Sequence, residues 1–191
     1  MGLVEVGVGL VPAGGGIKEM LRRVVTPAMR TPGVNPQPYV QRLFQTIGQA
    51  KTSASAFEAQ ALGFLSESDR IIFNRELLLG EAKREVLKLS GDGYRPPLPA
   101  KNIYAVGRDG LAYLKVVIFG MRGGNNISDY DMVVGRHLAN VLSGGDLSLG
   151  QWVSEQYILD LERAAFMALT KEPKTLERIW SFLQTGRPVR N

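Results

Sequence analysis

The chain has 191 residues, 45% of them hydrophobic and 21% charged, enough for a genuine core in one or two small domains. It has no cysteine and one histidine, which excludes disulfides, thiolate metal sites and a cysteine nucleophile, and argues against a histidine-based metal or catalytic cluster. The net charge of +5 and a pI near 9.6 give a basic surface, but the excess is spread along the chain and no nucleic-acid-binding motif accompanies it.

Leu3 to Val11 reads as a strand or extended run, rich in valine and ended by Pro12, which cannot donate to a ladder. It is too short to span a membrane, carries Glu5, and has no basic flank of the kind a signal peptide needs. The expectation is a cytoplasmic protein with no membrane span. Gly14-Gly15-Gly16 forms a loop, and Ile17, Met20, Leu21, Val24, Val25 and Met29 then recur at helical spacing, with Pro27 kinking or ending that helix.

Thr31 to Pro38 is a loop by composition. Helices follow over about Pro38–Ala50 and, after Ser55, over an alanine-rich stretch stopped by Gly63. Asp69–Asn74 reads as a short strand or extended link. Arg75–Leu89 is strongly periodic, with Leu78, Ala82, Val86 and Leu89 in line.

Ser90–Ala100, "SGDGYRPPLPA", concentrates glycine and proline as a semi-rigid spacer does. It divides the sequence into residues 1–90, a linker at 91–100 and a helical module at 101–191. Beyond it the pattern is helical. Arg108 to Met121 is apolar nearly all round, which predicts burial. Ser128 with Asp131 predicts a capped helix running to Leu142 and stopping at Gly144-Gly145. Leu149–Leu169 is the longest helix, striped by Val153, Tyr157, Leu161, Ala165 and Ala168, and Thr175–Leu183 is the last. The sum is a mainly α chain with about seven helices and one or two short strands.

The glycine-rich opening is not a nucleotide loop. Gly7-x-Gly9 is followed by Pro12 where a dinucleotide fingerprint needs its third glycine, and Gly16-Ile17-Lys18 does not complete a phosphate-binding loop. Glu5 lies among Leu3, Val4, Val6 and Val8. It is either the wet side of a half-exposed strand or a carboxylate whose apolar surroundings fit it for proton transfer.

The spacing Glu5-x-x-x-Gly9-x-x-Pro12-Ala13-Gly14-Gly15 resembles a segment of the crotonase (enoyl-CoA hydratase/isomerase) superfamily, in which a catalytic glutamate precedes a Gly-Leu-x-Pro-x-Gly-Gly turn and a helix. Ser55-Ala56-Phe57-Glu58-Ala59-Gln60-Ala61-Leu62-Gly63 is similar to the later Ser-Ala-x-x-Ala-x-x-x-Gly stretch of the same superfamily. "ISDYDMVVGRHLANVLSGGD" and the stretch from Val153 to Asn191 resemble the C-terminus of bacterial fatty-acid oxidation proteins that fuse an NAD-dependent 3-hydroxyacyl-CoA dehydrogenase to a crotonase-type domain.

The resemblance implies the C-terminal portion of a crotonase-like β/α fold plus a helical tail, acyl-CoA as the substrate class, and no cofactor bound by this chain. It implies Glu5 as a catalytic residue that positions or activates the water added to an enoyl thioester. It implies Ala13, Gly14 and Gly15 as the substrate-side turn. The second glutamate, the two oxyanion N–H donors and the NAD domain match nothing here and would precede residue 1, so Met1 corresponds to an internal position of the longer protein. Removing one oxyanion donor alone costs about 10²–10³ in rate. The isolated chain is therefore expected to be inactive, and to self-associate or to pair with the missing upstream half. The alternative is a non-enzymatic helical oligomerisation or partner-binding module.

Three smaller candidates complete the reading. His137 sits on an apolar helical face and reads as a packed histidine. Trp152, Tyr157, Trp180 and Phe182 read as core aromatics. Lys171, Lys174, Arg178, Arg187 and Arg190 read as a solvated basic face, with phosphate contact to CoA as the sharper alternative.

Overall fold

The computed structural model describes residues 1–191 and is mainly helical. Eight α-helices are present: α1 (Gly16–Met20), α2 (Gln37–Gly48), α3 (Ala56–Leu62), α4 (Leu78–Gly91), α5 (Gly107–Gly123), α6 (Asp129–Ser143), α7 (Glu155–Leu169) and α8 (Pro173–Thr185). Two three-residue strands, β1 (Ile103–Ala105) and β2 (Gln151–Val153), pair antiparallel with Tyr104 opposite Trp152. Those two rings meet edge to face at 5.2 Å between centroids.

One contiguous core of 27 buried hydrophobic residues runs from Val6 to Leu169 and draws on both sides of the Pro-rich stretch. α5 and α6 lie along each other, α2 packs across both, and α7 covers α6 and α1. The stretch itself is exposed up to Ala100, where its backbone is tied to the start of α7: Ala100 N–H donates to the Glu155 carboxylate and Glu155 N–H to the Ala100 carbonyl.

Helix ends follow the local chemistry. Ser128 and Asp131 form the reciprocal capping box, with N–H to side-chain distances of 3.0 and 2.9 Å. Ser55 caps α3 and Gly63 ends it at φ +88°, a left-handed turn where a Cβ would also lie 2.7 Å from Val24.

Several expectations need correction. Leu3–Val11 is not a strand: Glu5–Val8 is a 3-10 turn closed by Gly9 at φ +81°, and only Gly2 makes an isolated bridge, to Thr52. A strand must satisfy its backbone on a neighbour, and this chain offers that run none, so it coils on itself. The Ile17–Met29 helix is broken into α1, a π-helical turn at Leu21–Val25 and a 3-10 turn at Ala28–Arg30, because Pro27 has no N–H to continue it. Asp69–Asn74 forms no strand; Asn74 instead caps a 3-10 turn at Arg75–Leu77. The segment before α5 and the first residues assigned to the longest helix are the two strands, and that helix begins only after Ser154, whose hydroxyl caps it.

The buried faces also differ from expectation. α5 buries only Gly107, Gly110, Leu114 and Ile118, and leaves Val116 70% and Phe119 75% exposed. α4 buries nothing, so its stripe of Leu78, Val86 and Leu89 faces solvent.

Candidate functional site

Glu5 opens the 3-10 turn that replaces the expected strand. Its backbone carbonyl accepts the Leu10 N–H at 3.0 Å, which curls the chain back on itself. One side-chain oxygen, Oε2, is shielded from water and has no hydrogen-bond partner. Leaving a carboxylate oxygen in that state costs free energy, so a chain selected for stability alone has no reason to keep it. Gly9 locks the turn in place. A Cβ there would lie 2.9 Å from Thr175 Oγ1 and 3.2 Å from Tyr130, while the Thr175 hydroxyl donates to the Gly9 carbonyl at 2.8 Å.

The glycine turn behind Glu5 holds an anion, and the anion belongs to the protein. Gly15, at φ +92°, donates its N–H to Glu162 Oε2 at 2.8 Å, and Lys18 N–H donates to Glu162 Oε1 at 2.6 Å. Glu162 is fully buried. Burial raises its pKa above the ordinary carboxylate value, against the pull of those N–H groups and the Lys18 charge. The helix N-terminus that would favour a ligand's negative charge is thus already capped by α7. Of the three residues assigned to a substrate-side turn, Gly15 is committed to Glu162, Ala13 is half-buried and Gly14 is exposed with open space around it.

Lys18, nearly buried itself, bridges Glu155 and Glu19. Burial opposes the Glu19 charge, but hydrogen bonds from Arg22 and Lys18 outweigh it and hold the carboxyl down at about 2. α1 is therefore clamped to α7 by one buried carboxylate and one buried ammonium.

A second polar network joins the Glu5 turn to α6 and α8. Arg178 is 2% exposed and donates to Asp131 at 2.7 Å, to Ser128 at 3.3 Å and to the Asn191 side chain at 2.9 Å. Its guanidinium stacks 5.1 Å over the Tyr130 ring, whose hydroxyl meets Thr175 at 2.5 Å. Burial works against the Asp131 charge, but the Ser128 N–H and Arg178 hold its pKa below the ordinary value. Arg178 was expected on a solvated basic face; it is an internal ion-pair partner instead. Lys171, Lys174, Arg187 and Arg190 are exposed as expected.

His137 is half-buried and its pKa is lowered by burial, with Glu172 pulling the other way. Of the four aromatics expected in the core, only Tyr157 is half-buried, with its hydroxyl on the Gly144 carbonyl at 2.9 Å; Trp152, Trp180 and Phe182 are exposed. No cluster of histidine and carboxylate side chains suited to a metal ion forms, and no helix is long and apolar enough to cross a membrane.

Sequence reasoning missed Glu162, although a signal was present: it occupies the inward position of the series Ile158, Glu162, Ala165, Leu169. A carboxylate on an apolar stripe demands buried donors. Arg178 carried no comparable signal, because Lys174, Thr175 and Ser181, three or four positions from it on α8, are polar.

No family model matches the chain, and no solved structure matches it. Over its full length it is 40% identical, across 195 aligned positions, to a probable 3-hydroxyacyl-CoA dehydrogenase of Bacillus subtilis (strain 168). The match spans 23% of that relative, so the chain fits one segment of a much longer protein.

Proposed function

We propose that this chain is the Glu5-bearing segment of an acyl-CoA-processing enzyme of fatty-acid oxidation, related to 3-hydroxyacyl-CoA dehydrogenases fused to a crotonase-type hydratase, and that it is inactive alone. The observation that carries the reading is the buried, unpartnered Glu5 Oε2. Likeness to the dehydrogenase segment supports the metabolic setting. In this reading Glu5 takes a proton from water as the water oxygen bonds to C3 of a 2-enoyl thioester, and returns that proton to C2, so that the elements of one water are added and the carboxylate is restored. The thioester oxygen gains negative charge in that step and needs two aimed N–H donors. The Gly15 N–H, in the glycine turn that follows Glu5 in the chain, already serves Glu162, and this reading assigns the oxyanion donors to another part of the enzyme. The division of the sequence at residues 91–100 belongs to the same proposal.

The exposed apolar faces support assembly with another polypeptide. α8 turns Thr175 and Arg178 inward and shows Leu176, Trp180 and Leu183 to solvent, the reverse of an ordinary surface helix. Phe73, Leu79 and Leu87 stand out from the α4 region in the same way. The test is to mix the purified chain with the Bacillus relative lacking its matched segment and to follow crotonyl-CoA hydration. Activity only on mixing is expected; hydration by the chain alone at more than trace rate would overturn the inactive-alone reading.

The same faces favour the second reading, a non-enzymatic helical oligomerisation module. It predicts a stable dimer or larger assembly of this chain by light scattering and no hydration in any mixture. A monomer at all concentrations would rule it out.

A further inference from the structure

A cleft of about 510 Å³ opens between α2, α5, α6 and the last residues of the chain. Its size falls within the range of small-molecule sites, about 300–1,000 Å³. One wall is apolar, built from Phe44 on α2, Val117, Ile118 and Met121 on α5, and Val6 and Ile127 from the flanking turns. Backbone without side chains makes part of the space. Gly135 packs its bare Cα toward Ile118 and Phe44, where a Cβ would sit 3.6 and 3.7 Å from their side chains, and at Gly7 a Cβ would meet nothing within 4 Å.

The polar side of the cleft is unevenly satisfied. Asp131 and Arg178 neutralise each other there at 2.7 Å, and the second Asp131 oxygen takes the Ser128 N–H. The side-chain amides of Gln45, Gln49 and Asn126, and the Arg190 guanidinium, line the same cleft and engage in no hydrogen bond or ion pair within the chain. The charged lining is therefore two cations and one anion, a net +1. A single spare positive charge with neutral amide donors around it suits a monoanion, and the Asp131 carboxylate disfavours a second negative charge on the ligand.

We propose that this cleft binds an amphiphilic monoanion: an unbranched aliphatic chain lying along Phe44, Ile118 and Met121, with its carboxylate at Arg190 and the adjacent side-chain amides. Glu5 does not line the cleft, and binding can be read without any reconstituted activity, so this site and the role of Glu5 stand or fall separately.

The experiment is a calorimetric titration of the full chain with decanoate below its micelle concentration, alongside decan-1-ol and decyl phosphate. Decanoate saturates at one site per chain. Decan-1-ol binds about two- to fivefold more weakly, the scale of a solvent-exposed ion pair. Arg190→Gln weakens decanoate by the same factor and leaves decan-1-ol unchanged, and Gly7→Leu, which fills the open space, removes binding of both. Wild-type methyl resonances of Ile118, Met121 and Ile127 shift on titration, a readout that does not depend on how well Gly7→Leu folds. Non-saturating decanoate uptake overturns the proposal. So do methyl shifts centred on Leu176 and Leu183 of α8, an Arg190→Gln variant that treats decanoate as wild type does, or decyl phosphate binding more tightly than decanoate.

Discussion

Three side chains define the molecule at the residue scale, and each has polar atoms shielded from water in a different way. Glu5 leaves an oxygen without a partner, Glu162 is capped by backbone donors, and Arg178 is paired. Their substitutions should therefore differ in sign. Glu5→Leu removes an unsatisfied buried atom, so chemical denaturation should show stability unchanged or raised by up to about 1 kcal/mol. Glu162→Gln keeps the shape but presents an NH₂ to one of two N–H donors; a loss of about 1–3 kcal/mol is expected in the same assay. Arg178→Met strands Asp131 beside a broken pair and should cost about 3 kcal/mol, the lower end for a buried pair whose acid keeps another donor.

The pH dependence at this scale follows from the same contacts. Glu19 falls from an ordinary 4.5 to about 2 in the folded chain. Its contribution is present above pH 4.5 and is lost as the pH falls towards 2, with Asp131 acting in the same direction. Glu162 has the opposite sign. Its raised folded pKa means that the folded state holds the proton more tightly, so stability is full below the ordinary carboxylate value of 4.5 and declines as the pH rises above it towards the raised folded value. Urea titrations of Glu162→Gln should lack this decline, while keeping the acid-side loss.

At the element scale, what the sequence revealed depended on whether the information was local. The Ser128 capping box, the Gly63 stop and the Gly144 turn involve residues within a few positions of each other, and they could be read directly. The mainly helical character followed from periodicity for the same reason. The Leu3–Val11 run misled because valine content favours a strand while pairing depends on a neighbour elsewhere. β1 and β2 escaped notice because three residues carry too little pattern. α8 is the sharpest case: its periodicity is strong, but the face turned inward is the polar one, a choice made by Asp131, Tyr130 and Gly9 far away in sequence. Because Leu176, Trp180 and Leu183 are surface residues here, replacing all three with serine should leave monomer stability within about 0.5 kcal/mol per site. Sedimentation should show the same triple variant losing any self-association or partner binding that the wild type has.

For the candidate site, Glu5 was legible as a carboxylate in an apolar run, and the glycine turn as something other than a nucleotide loop. The occupant of that turn was not, because it comes from α7, 147 positions away. The cleft near Arg190 was equally hidden, since its walls come from four separate parts of the chain.

At the scale of the whole molecule, one core ties the Glu5 turn to the helical remainder, and the apolar faces of α4 and α8 lie outside it. That arrangement suits a folded piece that docks onto something larger. The relative is about four times the length matched, in keeping with such an assembly. In the proposed function this chain supplies a working glutamate to an acyl-CoA enzyme. The most direct measurement is crotonyl-CoA hydration by the Bacillus relative lacking its matched segment, mixed with either wild-type chain or Glu5→Gln, with association confirmed for both by sedimentation. Both chains should associate, the wild type should restore hydration, and Glu5→Gln should give a rate lower by at least about 10², the scale of a lost general base. Equal rates with the two chains, or association without any hydration by the wild type, would contradict the proposed function.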